Sequence, residues 1–304
     1  MTSLVLLSVL LCLIAGSAID TGSVCVVRAV RDGIAGKPAL ALGCLVTLLC
    51  AAVVFTLDTT LNWQLQSAPW AWPTLRILIG AGIFAAGAVL NGACAVGTVT
   101  RLCRGDIGYV ATLIGALAMT LLVPKTLLPT GAAAASTESV GLAWLAVIAL
   151  VTLPPLLILR RYLAWRIVLS YAAVGLIAAT LANLQGDWTW LRLFQEAKSG
   201  VPIRWDIVAC IAAIVVGATA TALYRRRFRL IRPDPLTMLR EAAGGALMAA
   251  GALLIPGGND LLLVYSLPSG SPHAIAAYVL IVAVMLLLLG LFQTARRWVV
   301  WPVP

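Results

Sequence analysis

Charge is scarce in this chain. Only 11% of its 304 residues are Asp, Glu, Lys or Arg, while 62% are hydrophobic. A soluble domain of this length could not hide so much apolar surface. Histidine is reduced to His273, and the seven cysteines show no CxxC spacing, so no metal site is expected. Cys12, Cys44, Cys50 and Cys210 fall in apolar runs and read as small packing residues. No GxxxxGK[ST] loop is present, which argues against ATP drive within this chain, and no cofactor is expected. Acidic residues are in deficit, 11 against 21 Lys and Arg, for a net charge of +10. The arginines cluster between apolar runs, as in cytoplasmic loops, and no soluble domain exists to carry a nucleic-acid partner.

What remains is a series of long, continuous apolar stretches with a mean hydropathy of +1.03. Continuous rather than alternating runs exclude a β-barrel and define an all-α polytopic membrane protein whose partner is the lipid bilayer. Nine spans are expected, at 2–18, 39–57, 76–100, 107–123, 138–158, 162–184, 204–222, 240–265 and 273–293. Met1–Ser17 lacks the positive segment of a signal peptide and reads as a retained first helix.

The chain also repeats itself 164 positions apart. Gly22 falls on Gly186, Arg28 on Arg192, Gly36 on Gly200, Pro38 on Pro202, Arg76 on Arg240 and Gly80 on Gly244, and Ala85–Ala88 falls on Ala249–Ala252. The loop Asp58–Trp72 has no Lys or Arg and carries Trp63, Trp70 and Trp72, whereas its mate holds Arg225, Arg226, Arg227, Arg229 and Arg232. The positive-inside rule places the first loop outside and the second inside. Equivalent loops on opposite faces mean an inverted repeat of 4+1+4 spans: 1–130, a connecting loop and helix at 131–160, and 161–304. The N-terminus is then outside and the C-terminus cytoplasmic. Arg28, Arg31, Lys37, Arg101, Arg104, Arg160, Arg161, Arg296 and Arg297 lie at the cytoplasmic side. Arg192, Lys198 and Arg204 depart from the rule.

Two segments read as broken helices. One runs from Gly80 through Asn91-Gly92-Ala93-Cys94 to Gly97-Thr98 and Arg101; its mate runs from Gly244 to Pro256-Gly257-Gly258-Asn259-Asp260. Small residues favour close packing, and the Gly and Pro-Gly positions end each helix about halfway. Irregular backbone at membrane depth survives only inside protein or along a watery cavity, and the helix restarting after a break offers free N–H groups to an anion. Two shorter segments, Gly22–Asp32 and Gly186–Glu196, are too short to cross and read as interfacial or re-entrant helices. Arg28 with Asp32 and Arg192 with Glu196 stand in the weaker, cation-first i,i+4 order. Arg28 and Arg192 are the candidates for drawing an anion to vestibules on opposite faces. Duplicated halves with matching broken helices point to a transporter with its site near the midplane.

At these residues the chain resembles the YeeE/YedE family of sulfur-transport membrane proteins, which includes thiosulfate importers. The resemblance rests on Gly87-Ala-Val-Leu-Asn-Gly-Ala-Cys94-Ala-Val-Gly97-Thr98 with Arg101-Leu-x-x-Gly105, on Ser23-Val-Cys25-Val-Val-Arg-Ala-Val-Arg-Asp32, and on Gly251-Ala-Leu-Leu-Ile-Pro-Gly-Gly-Asn-Asp260 with Leu267-Pro268 and Ala274–Tyr278. It implies an inner-membrane transporter, not an enzyme, in which central cysteines hand thiosulfate along by sulfur-directed hydrogen bonds. Cys25 and Cys94 match two of them. The third would fall at Gly257 or Gly258, where this chain has no sulfur, so either Asn259 and Asp260 substitute or the substrate differs. The broken helices together with the resemblance give a candidate substrate path through Cys94, Cys25, Asn91, Gly92, Gly97, Thr98, Gly257, Gly258, Asn259 and Asp260. A cytoplasmic sulfurtransferase partner is compatible with it. Three alternatives stand: a permease for another small anion or sulfur compound, a membrane sulfur-handling enzyme with Cys94 as a persulfide-forming nucleophile, and a structural membrane subunit.

Overall fold

The computed structural model describes residues 2–61, 70–124, 141–185, 189–199, 202, 204–255 and 262–298. It is all-helical. In chain order the helices are α1 (Thr2–Gly22), α2 (Val26–Ile34), α3 (Ala39–Leu61), α4 (Leu75–Asn91), α5 (Ala95–Cys103), α6 (Tyr109–Leu122), α7 (Gly141–Ile158), α8 (Trp165–Gln185), α9 (Trp190–Ser199), α10 (Trp205–Tyr224), α11 (Pro235–Leu254), a π-helical turn (Leu262–Ser266) and α12 (Pro272–Trp298). The sole β-type pairing among the described residues is an isolated bridge between Asp106 and Ile231.

Seven helical segments among the described residues are long and apolar enough to cross a membrane. The other two spans expected from the sequence take different forms. α6 has 14 residues, about 21 Å of helix against a hydrocarbon core of about 30 Å. α11 begins at Pro235 rather than 240 and carries Arg240 and Glu241 in its second turn. Its early start has a local cause: the Asp234 side chain accepts the Thr237 N–H at 3.3 Å and Pro235 occupies the first helical position, a strong N-terminal signal.

A shift of 164 residues lays α1 on α8, α2 on α9, α3 on α10, α4 on α11, α5 on the π turn and α6 on α12, leaving α7 unmatched. Packing follows the same exchange. α1 packs on α10 as α3 does on α8; α6 packs on α11 as α12 does on α4; α5 meets α10 as the π turn meets α3; α6 meets α9 as α12 meets α2. Mated helices also touch each other. The C-terminal end of α1 at Gly22 lies against Ser170 and Tyr171, early in α8.

The α4–α11 crossing is the tightest of these. A Cβ at Gly80 would lie 2.7 Å from Leu254 Cβ and 2.9 Å from Gly251 O. A Cβ at Gly87 would lie 2.7 Å from Met248 N and 2.9 Å from Gly244 O. As residue numbers rise on α4 they fall on α11, so the two helices run antiparallel with backbones in contact. Only glycine permits that approach, and in lipid the resulting van der Waals packing, rather than exclusion of water, holds the helices together. Gly87→Val therefore overpacks the crossing and is expected to cost at least about 1–3 kcal/mol, read as a lowered thermal midpoint in detergent. Gly82→Ala, whose Cβ meets nothing within 4 Å, should melt at or above the wild-type temperature. A Gly87→Val protein that melts like wild type would contradict the close crossing.

Candidate functional site

The site begins where α4 stops. Gly92 adopts φ +76°, the left-handed conformation that ends a helix, and donates its N–H to Val89 O at 3.1 Å. Asn91, fully buried, then replaces the lost helical hydrogen bonds. Its Nδ2 donates to Ala93 O at 2.9 Å and to Thr98 Oγ1 at 3.0 Å; its Oδ1 accepts from Thr112 Oγ1 at 2.7 Å. Tyr109 OH donates to Asn91 O at 3.3 Å. The side chains of α4, α5 and α6 thus satisfy the break internally, as a chain interrupted at membrane depth requires.

After the break the chain is extended at Cys94 (φ −77°, ψ 179°), which caps α5 by accepting the Gly97 N–H on Sγ at 3.5 Å. The second cysteine arrives in the same way. α1 turns through Ser23 (φ 52°), and Cys25 becomes the extended residue before α2. Cys94 Sγ donates to Cys25 Sγ at 3.7 Å. Both thiols are buried, Cys94 at 2% and Cys25 at 7% exposure. Two helix N-termini therefore converge on one pair of sulfurs. The close fit is enforced by Gly97, where a Cβ would lie 2.6 Å from Cys25 Sγ and 3.1 Å from Cys25 Cβ.

Beside the pair opens a cavity of about 240 Å³. Cys25, Gly92 and Gly97 line it, together with five arginines: Arg28, Arg101, Arg104, Arg227 and Arg229. Asp106 is the acidic residue in the lining. Arg104 is committed to structure: its Nε meets Asp20 Oδ1 at 2.6 Å and its Nη2 donates to Asp20 O at 2.7 Å and Ser23 Oγ at 2.9 Å. Asp20 is fully buried, so this ion pair holds the end of α1 against the end of α5. Arg28 faces Asp32 at 3.4 Å, the i,i+4 pair expected from the sequence. The segment bearing Arg227 and Arg229 is pinned by backbone, with Arg229 N–H donating to Arg104 O at 2.8 Å and Ile231 N–H to Gly105 O at 2.9 Å. Burial, and then the neighbouring Arg104 charge, lower the Arg227 pKa from its ordinary value. Burial raises the Asp106 pKa, while Arg101 opposes the rise. Both shifts mark a partly desolvated, cation-crowded space.

A second, apolar cavity of about 90 Å³ lies on another side of α5, lined by Val96, Val99, Val264, Thr189 and Trp190 among others. Thr189 is the position 164 residues after Cys25.

Of the residues picked out by sequence, Cys25, Cys94, Asn91, Gly92, Gly97, Thr98 and Arg28 thus come together here. Cys25 sits just before its short helix rather than on it, because the turn after α1 displaces α2 towards the C-terminus. Arg192 lies on α9, but its side chain is outside the described residues, and Gly257, Gly258, Asn259 and Asp260 fall outside them altogether. Sequence reasoning missed Asp20, Tyr109 and Thr112. Asp20 had a signal, being a lone carboxylate closing an apolar run. Tyr109 and Thr112 carried none, since their role exists only once α6 packs on the break. Arg104, Arg227 and Arg229 were read as topology markers alone, and Arg101 as a topology marker and part of the motif after Thr98.

Membrane-crossing helices, one of them broken beside a buried pair of thiols, define a multi-pass membrane transporter. The Sulphur transport family matches residues 21–191 and, overlapping them, 142–287. The chain belongs to that family and is a transporter rather than an enzyme. It is similar to the thiosulfate transporter TsuA of Spirochaeta thermophila, with 26% identity over 284 residues covering 80% of this chain and 86% of the relative.

The thiol geometry is open to direct measurement. In a variant keeping only Cys25 and Cys94, copper-phenanthroline is expected to link the two in high yield, read by mass spectrometry. Gly97→Ala, by pushing Cys25 aside, should reduce that yield several-fold. No link in the parent would contradict the pairing.

Proposed function

We propose that this protein imports thiosulfate, or a closely related small sulfur-containing anion, across a bacterial-type inner membrane, and that the anion passes the Cys25–Cys94 pair. The observation that carries this reading is the pair itself, two buried thiols 3.7 Å apart beside an arginine-lined cavity. Thiosulfate is a dianion with a soft terminal sulfur. A neutral thiol donates weakly to such a sulfur, and the N-terminal ends of α2 and α5, both directed at the pair, add a favourable dipole field for an anion. Arginines lining the cavity beside the thiols stabilise the anion's charge there.

The two halves, 1–130 and 161–304, are read as an inverted repeat joined by 131–160. The 164-residue correspondence of elements, the exchanged packing and the antiparallel α4–α11 crossing support this. Under the positive-inside rule the N-terminus is outside, the C-terminus cytoplasmic, and the arginine-lined cavity is the exit. Arg192, on α9, then belongs to the entry side. A cytoplasmic sulfurtransferase is the partner suited to receive the anion. The absence of sulfur at Gly257 and Gly258 favours a second reading, a permease for a different small anion using the same cysteine pair.

Uptake of radiolabelled thiosulfate beside sulfate, in cells lacking other importers, tests the proposal. Wild type is expected to accumulate thiosulfate over sulfate, and Cys94→Ala and Cys25→Ala to fall to background while keeping wild-type expression and thermal midpoint. Normal uptake by well-folded cysteine variants would remove the thiols from the mechanism. Uptake of neither anion by well-expressed wild type would favour the second reading.

A further inference from the structure

Three arginines of the cavity form no close ion pair, although Asp106 in the same lining lies within the field of Arg101. Arg101, Arg227 and Arg229 have no carboxylate within 4 Å among the described residues, in contrast to Arg28 and Arg104. Arg101 stacks over Tyr109 at 5.6 Å, and Arg227 Nη1 makes a long bond of 3.3 Å to Asp20 O. Neither contact neutralises a cation, and Asp106, the acidic residue in the lining, offsets at most one of the three charges. Guanidinium groups gathered in a partly buried cavity repel one another, and a protein tolerates that arrangement at low cost only if a counter-charge visits it. They also come from different halves of the chain, Arg101 from α5 and the other two from the segment after α10, so they converge by folding rather than by sequence proximity.

We infer that Arg101, Arg227 and Arg229 form an oxyanion-recognition site that works jointly with Cys25. A ligand carrying a soft sulfur at one end and sulfonate oxygens at the other is held end-on, sulfur towards the thiol pair and oxygens towards the guanidiniums. This rests on the thiosulfate reading above and deepens it by dividing recognition between two chemically distinct ends. Cys25 and Gly97 line the same cavity as the arginines, so one small anion reaches both without crossing a barrier. Guanidinium donors match tetrahedral oxyanions through paired N–H groups, whereas a thiol favours the polarisable sulfur. A sulfate ion satisfies only the arginine end.

Binding of thiosulfate and of sulfate to purified full-length protein in nanodiscs, by isothermal titration, tests this in Arg101→Gln/Arg229→Gln and in Cys25→Ala. Arg104 is left intact because it holds buried Asp20. The arginine variant is expected to weaken both anions by about tenfold or more, the scale of one lost charge-assisted hydrogen bond. Arg101→Lys/Arg229→Lys should recover part of the loss. Cys25→Ala should bind sulfate as wild type does but lose its preference for thiosulfate. Wild-type affinity for both anions in the arginine variant would overturn the proposal, as would equal weakening of sulfate by Cys25→Ala. Arginine-dependent sulfate binding by a wild type that ignores thiosulfate would sink the thiosulfate reading and end-on binding while leaving an oxyanion site. Binding of neither by wild type would overturn both.

Discussion

A helix that stops inside a membrane leaves N–H and carbonyl groups with no water to satisfy them, and here the buried amide of Asn91 takes up that demand. It ties the end of α4 to the first turn of α5 through Thr98 and to α6 through Thr112. With the break so satisfied, Gly92 can take its left-handed turn, Cys94 can cap α5, and its thiol is delivered to Cys25. The position of the sulfur is a consequence of hydrogen-bond accounting around one side chain. A cysteine in an unbroken helix would be packed away like Cys12.

The break is held in place by a rigid neighbour. α11 lies against α4 through glycines on both helices, close enough that backbone meets backbone. Gly244 approaches Asn91 itself, so the α4–α11 crossing also presses on the site. Small residues therefore serve two ends here, dense packing without a hydrophobic driving force and a fixed reference for the interrupted helix.

Charge is arranged around this frame with economy. The buried Asp20–Arg104 pair is structural, costly to form and costly to break, and anchors the mouth of the cavity. The remaining arginines supply a positive field that the protein leaves largely unpaired. A buried pair of thiols and a cationic cavity lining place two kinds of chemistry side by side. An anion that suits both ends has an advantage over one that suits either alone.

The all-helical membrane class was legible in the residues, and so were several of the residues that the structure gathers around the break at Gly92. Composition and apolar run length dictate a helical membrane chain because backbone in lipid has few ways to satisfy itself, and the residue matches 164 apart run parallel to the order of the helices. Asn91, Gly92, Cys94 and Gly97 stood out because a polar and glycine interruption inside an apolar run has few structural uses. The length of α6 and the start of α11 were not legible, since both depend on local caps and on what each helix packs against. Nor was the pairing of Cys25 with Cys94, 69 positions apart, or the gathering of Arg101 with Arg227 and Arg229. Local pattern determines which segments become helices and where they fail; contact between distant segments is set by how the helices cross, and only the tertiary structure decides which thiol meets which and which arginines share a cavity.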